Sequence, residues 1–211
     1  MNTHRNTRTS SRSRNALRFG LLAAGVATLA SAVPAQAAEG FRSARDDVRT
    51  TANHFHHVRV RDSFTVHQLG AVGAADVRNQ VVATGAGCGA DDACRSVALS
   101  FQIVTLAGEH VHLNAVNTGR AVNDHCTGCQ TLAGAYQFIV ETPRPVRLDR
   151  DTLRRLDAVH RRLDDLGRSG LPAAELKKRA DALATEVTGI LKNAHPAEVT
   201  VHRHLQGWPG H

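Results

Sequence analysis

The stretch Cys94–Val104 reads CRSVALSFQIV, and 35 residues later Cys129–Ile139 reads CQTLAGAYQFI. Aligned on their first residue, the two share Cys, Ala and Gln and keep similar character at Ser/Thr, Val/Leu, Phe/Tyr and Val/Ile. In the first, Val97, Leu99, Phe101 and Ile103 fall on one face, with Ser96, Ser100 and Gln102 opposite. In the second, Leu132, Gly134, Tyr136, Phe138 and Val140 alternate with Thr131, Ala133, Ala135 and Gln137. A period of two with β-branched and aromatic residues predicts strands. A helix is the alternative for runs this rich in small residues.

Each copy has a second cysteine just upstream: Cys88 in a C-x5-C and Cys126 in a C-x2-C. Further upstream lie two Asn-containing stretches, NQVVATGAG from Asn79 and NTGRAVNDH from Asn117. Self-similarity at a fixed step indicates two tandem modules. The expected unit is strand–turn–strand, with the cysteines at or beside the turns. In an exported chain, four cysteines most simply mean two disulfides. Of three possible pairings, the repeat favours the local ones, Cys88–Cys94 and Cys126–Cys129, because each module would be stapled on its own. Pairing between modules would close larger loops and restrict the unfolded chain more. Two other readings use the same residues. A four-cysteine zinc site fits the C-x2-C half-site, whereas C-x5-C is long for one. A redox-active C-x-x-C needs Cys126 at a helix N-terminus, where the dipole lowers the thiol pKa.

The chain has 13 histidines. His54, His56 and the adjacent His57 precede an alternating segment. On a strand, His54 and His56 would share a face, as would His110 with His112 and His202 with His204. Such pairs are candidate metal ligands, with Glu109 able to assist. The competing reading is the solvent face of half-buried strands. No catalytic signature occurs: HExxH, GxSxG, a P-loop and a strand-borne GxGxxG are all absent, and no catalytic residue is assigned. Asp91-Asp92 and the Asp149/Asp151 pair read as turn and cap residues.

After ETPRPV the composition shifts. Leu153, Leu156, Val159, Leu163 and Leu166 make one helical stripe, with Asp151 as its cap and Gly167 as its stop. Pro172 suits the first turn of a second helix carrying Leu176, Ala180, Leu183, Val187 and Ile190. The two form an antiparallel hairpin whose stripe packs on the sheet or on its mate, or else mediates a homodimer. A short strand, EVTVHRH, is expected in the tail before an end that frays.

At the other end, Arg5, Arg8, Arg12, Arg14 and Arg18 precede the apolar run Phe19–Val33, and Ala35-Gln36-Ala37 follows it. This is the order of a secretory signal, with cleavage expected after Ala37. The run is shorter than the roughly 20 residues that span a bilayer. No other apolar run reaches that length. All 19 acidic residues lie beyond this leader, so most of the +7 net charge belongs to it and the rest is close to neutral. A near-neutral chain with 4% aromatic residues argues against nucleic-acid binding.

The segments AVNDHCTGCQTLAGAYQFIV and CRSVALSFQIV, followed by RSGLPAAELKKRADALATEV, resemble exported proteins of high-GC Gram-positive bacteria. That group has duplicated cysteine-pair modules ahead of an Arg-rich helical pair. The resemblance covers roughly residues 75–193 and implies no assigned activity. Some members are described as peptide zinc metalloproteases, for which this chain lacks HExxH.

The expected fold is α+β, a small antiparallel β module built from two tandem cysteine-bearing repeats plus a C-terminal antiparallel helical hairpin. The expected divisions are a signal peptide (1–37), the β-rich module (38–146), the hairpin (147–194) and a tail (195–211). The expected function is that of a secreted, non-enzymatic, disulfide-stapled protein of the cell envelope or exterior. It would act by binding a protein or envelope partner, or by assembly, and need no cofactor. A zinc-binding protein using the cysteines or the histidine pairs is the alternative. An exported thiol oxidoreductase or peptidase-related protein comes third.

Overall fold

The computed structural model describes residues 40–195 and 199–208. The expected signal peptide, its cleavage position and the last three residues lie outside them. The described residues form a mixed α+β fold, with seven strands in two sheets and two helices toward the C-terminal end. The strands are β1 (Phe41–Asn53), β2 (Val58–Ala71), β3 (Ala74–Ala86), β4 (Cys94–Ala107), β5 (His112–Asp124), β6 (Cys129–Thr142) and β7 (Val199–Trp208). The helices are α1 (Arg150–Arg168) and α2 (Ala173–Ala194).

Successive strands go to different sheets. One sheet has the order β1-β3-β5 and the other β2-β4-β6-β7. Every pairing among the first six strands is parallel, and only β7 lies antiparallel, on β6. The expected antiparallel module is therefore corrected: the two strands of each strand–turn–strand unit do not share a backbone ladder. They face each other across the interior, and each bonds to its counterpart one coil away. The cause lies in their inward residues. Ala44, Val48 and Ala52 on β1, and Ala98, Ala133 and Ala135 on β4 and β6, are small and buried. Two such strands gain more from face-to-face packing than from one shared edge.

Among the described residues the coils number three, not two: β1–β2, β3–β4 and β5–β6. They stack in continuous register, with Phe41 beside Ala74 beside His112 and Phe64 beside Phe101 beside Tyr136. Cys94 pairs with Cys129 and Gln102 with Gln137, so the 35-residue step read in the sequence is the register of β4 on β6. The two Asn stretches also meet, Asn79 beside Asn117. The first coil has HFHH at positions 54–57, where the others carry cysteines, and a search led by cysteine passes over it.

Sheet burial explains the two kinds of strand sequence. The strands β4 and β6 are buried almost throughout, whereas β1 alternates. The β2-β4-β6 sheet has two covered faces. Ala98 and Val104 on β4, and Ala133, Ala135 and Ile139 on β6, meet the other sheet. On the opposite face Val97, Leu99, Phe101, Ile103, Leu132, Tyr136, Phe138 and Val140 meet the helices. A parallel sheet covered on both sides needs such near-continuous apolar runs. At the centre of the helix-facing side the register aligns three aromatic rings. Phe101 lies 5.9 Å from Phe64 and 4.5 Å from Tyr136, centroid to centroid. The Tyr136 hydroxyl donates to Asp181 on α2 at 3.1 Å. Burial, reinforced by the Asp181 carboxylate, raises its pKa far above the ordinary value.

The helices run as the stripes dictate. Leu156, Val159, Leu163 and Leu166 on α1, and Leu176, Ala180, Leu183, Val187 and Ile190 on α2, are buried against the sheet. That stripe is the cover of the β-module's core. The α1 ends differ from expectation. Asp149, not Asp151, is the cap, its carboxylate accepting from the Thr152 amide at 2.7 Å. Asp151 sits in the first turn and pairs with Arg154. Gly167 does not stop the helix, which runs on to Arg168 and is capped by Ser169. Its missing side chain serves packing, since a Cβ there would stand 3.0 Å from Val60 Cγ1 on β2. Arg95 ties the interhelical loop to the sheet, donating to the carbonyls of Ser169 and Leu171 at 2.8 and 2.7 Å. No helix among the described residues is long and apolar enough to cross a membrane.

Candidate functional site

The stacked coils bring their three connecting arches together at one end of the sheets. The first arch is shaped by Asn53, whose side-chain oxygen accepts from the amides of Phe55 and His56, both at 3.0 Å. In the second, Cys88 and Cys94 lie at disulfide distance, with Cα atoms 5.9 Å apart; in the third, Cys126 and Cys129 do so at 5.4 Å. These are the local pairs that the repeat favoured. The parallel register then sets the two bridges side by side. Cys88, Cys94 and Cys129 are each no more than 2% exposed, and Cys126 is partly open to solvent. The sulfurs of the three buried cysteines all lie within 4.8 Å of one another. A Cβ on Gly85 would stand 2.3 Å from Cys129 Sγ, so glycine on β3 makes the room the sulfur occupies.

These sulfurs fit a metal only in one oxidation state. A disulfide sulfur carries no charge and is a poor zinc ligand, whereas three thiolates that close together match the sulfur share of a tetrahedral site.

The histidine candidates are scattered. His54 and His56 lie in the first arch, beyond the end of β1, and not on a strand. His57 pairs with Asp92 of the next arch, and His125 with its neighbour Asp124. His110 is in the loop before β5 and His112 is the first residue of that strand, so the two do not share a strand face. His202 and His204 sit on β7, both exposed. Among the described residues, the buried cysteines are the one group of three or more metal-ligating side chains whose ligand atoms converge.

The sequence reading missed a polar layer between the sheets. Asp46, Asn79 and Asn117 occupy one register row of the first sheet, and Thr65, Gln102 and Gln137 one row of the second. Within the rows, Asn79 donates to the Asn117 side-chain oxygen at 3.0 Å, and Gln137 to that of Gln102 at 2.9 Å. Amide ladders of this kind form when identical coils stack in register. The first coil breaks the pattern with a carboxylate. Asp46 accepts from the Thr65 hydroxyl at 2.6 Å, and His67 Nε2 lies 3.3 Å from the same oxygen. Asn79 Oδ1 and Gln137 Oε1 are buried without a hydrogen-bond partner among the described residues. The shared Gln at positions 102 and 137 was the available signal for this layer. Asp46 lies in the coil that has no cysteine to announce it.

Burial alone would raise the Asp46 carboxyl. The hydrogen bonds from His67 and Thr65, the His67 charge and Gln102 outweigh it and hold the group below the usual carboxylate range. A carboxyl lowered on folding stabilises the fold above its unfolded pKa, and that stability disappears as pH falls through the folded value. Wild type should therefore lose about 1 kcal/mol more than Asp46→Asn on acidification through the carboxylate range. Denaturation midpoints at a series of acidic pH values check this, and parallel slopes for the two proteins would refute it.

The outward face of the β1-β3-β5 sheet is not covered by the helices, which pack on the other sheet. It carries ordered ion pairs. Asp76 on β3 accepts from Arg45 on β1 and from Arg78, each at 3.1 Å, and Asn114 on β5 donates to it at 3.3 Å. Arg78 and then Arg45 hold the Asp76 carboxyl below its ordinary range. Arg49 pairs with Asp47 at 2.7 Å, and Arg120 lies on the same row as Arg49 and Val82. No family model, curated protein sequence or solved structure matches this chain.

Proposed function

We propose that this chain is an exported, disulfide-stapled scaffold that acts outside the cytoplasm by binding. The single observation behind this reading is the uneven covering of the two sheets. Both helices pack on the second sheet and β7 extends it, touching the first at β5, while the first keeps a broad outward face of Arg45, Asp47, Arg49, Asp76, Arg78 and Arg120. Stacked coils commonly present such a regular face to a partner. The residues on it suit a partner offering polar and ionic groups, in the cell envelope or beyond it. Closed bridges in both cysteine-bearing arches suit an oxidising compartment.

The test is fractionation of the exported protein. Arg45→Glu, Arg78→Glu and Arg120→Glu combined should shift it from the envelope fraction to the culture fluid with its circular dichroism unchanged. An unchanged distribution would show that this face does not bind.

A second reading rests on the three clustered sulfurs. In a reduced chain Cys88, Cys94 and Cys129 would present thiolates within 4.8 Å of one another, a set that suits zinc. Zinc bound in proportion to reduced protein and lost with Cys129→Ser would support it. Reduced protein that stays metal-free would end it.

A further inference from the structure

We propose that the two stacked bridges form a thiol–disulfide relay that captures a low-molecular-weight thiol at Cys126 and passes the displaced thiolate inward to Cys88. Three observations carry this. Cys126 is the one bridge cysteine that is not buried, so an incoming thiolate meets that end of the bridges first. Its partner Cys129 is the ladder neighbour of Cys94, with Cys88, Cys94 and Cys129 sulfurs mutually within 4.8 Å. Cys88 Sγ lies 3.5 Å from the Ala86 carbonyl oxygen. A disulfide sulfur has no proton to donate, so that contact becomes a hydrogen bond only when Cys88 is a thiol.

The steps balance without an added oxidant. The incoming thiolate bonds to Cys126 Sγ, the Cys126–Cys129 bond breaks, and its electron pair leaves on Cys129. The Cys129 thiolate attacks Cys94 Sγ. A Cys94–Cys129 bond forms, the Cys88–Cys94 bond breaks, and the pair leaves on Cys88. Cys88 takes up a proton equivalent to the one the incoming thiol lost. Two disulfides and one thiol enter, and two disulfides and one thiol result. Exchange of this kind depends on which sulfur can be reached and on the thiolate at hand, and both are set here by the arch geometry. The reactivity needs no helix N-terminus. It comes from the parallel register, which places the leaving sulfur of one bridge against the next.

The test uses the oxidised full-length chain in metal-free buffer, with reduced glutathione as the probe. After acid quenching and alkylation, the peptide map should show one glutathione on Cys126, a Cys94–Cys129 bridge and the alkyl group on Cys88. Glutathione on Cys126 with alkylated Cys129 and an intact Cys88–Cys94 bridge would overturn the relay, as would the absence of any adduct. A variant combining Cys88→Ser and Cys126→Ser gives an independent measurement. Air oxidation should join Cys94 to Cys129, and two persistent free thiols in a chain of native circular dichroism would refute the inter-coil step. Should that variant not fold, the wild-type map decides alone.

Discussion

Phe101→Ala is expected to cost about 3–5 kcal/mol of stability, the range for removing a fully buried aromatic ring. Phe101 is the middle ring of the Phe64–Phe101–Tyr136 row and also lies 5.6 Å from Phe138. It is 0% exposed, with coil neighbours on both sides and the helices above it. The cavity would open in the centre of a sheet whose backbone is pinned by ladders on both edges, so little collapse can fill it. Phe64→Ala, in the edge strand β2 and only partly buried, should cost clearly less. Urea denaturation of both variants, with equal m-values, checks the order. A Phe101→Ala loss no greater than that of Phe64→Ala would show that the row is not the centre of the core.

Gly85→Ala should be comparably damaging through a different cause. The added Cβ would meet Cys129 Sγ at 2.3 Å, Cys129 Cβ at 2.8 Å and Thr131 Cγ2 at 3.1 Å. None of these is the end of a flexible side chain. Relief requires β6 to move away from β3 or Cys129 to turn from its partner. Overpacking alone costs about 1–3 kcal/mol, and loss of a bridge that closes so short a loop adds about 2 kcal/mol. The expected result is a protein with two alkylatable thiols, one of them Cys126, and a strongly lowered denaturation midpoint. Gly170→Ala, where a Cβ would meet nothing within 4 Å, is the control. Full oxidation and an unchanged midpoint in Gly85→Ala would show that the arch is looser than its geometry implies.

Much of the architecture was legible residue by residue. The alternation through Val97–Ile103 and Leu132–Val140 separated the helix-facing side of a sheet from its inner side, because side chains on a strand alternate whatever its partner is. The 35-residue offset matched Cys94 to Cys129 and Gln102 to Gln137, which is their hydrogen-bonded register. Leucine spacing located both helices and their buried stripes to within a few residues. The cap was misassigned because Asp149 and Asp151 are equally good acceptors in composition. Only the backbone turn decides which carboxylate reaches the Thr152 amide.

The candidate sites were legible in part. The cysteine pairs could be named because both partners of each are close in sequence. The convergence of Cys88 with Cys129, and of Asp46 with Thr65 and His67, joins different coils and has no local signature.

Periods and spacings within a few residues favoured strands for the two repeats and the local cysteine pairs over their alternatives, and they assigned the two faces of β4 and β6 and the buried stripes of α1 and α2. The tertiary structure decided that the strands pair in parallel with the neighbouring coil, that there are three coils, that the first sheet keeps an open face and that the two bridges stack. The physical reason is that an alternating strand presents the same pattern whether its turn makes a hairpin or an arch. The choice between them rests on how small inward side chains from distant segments pack against one another, and that energy exists only once the coils are stacked.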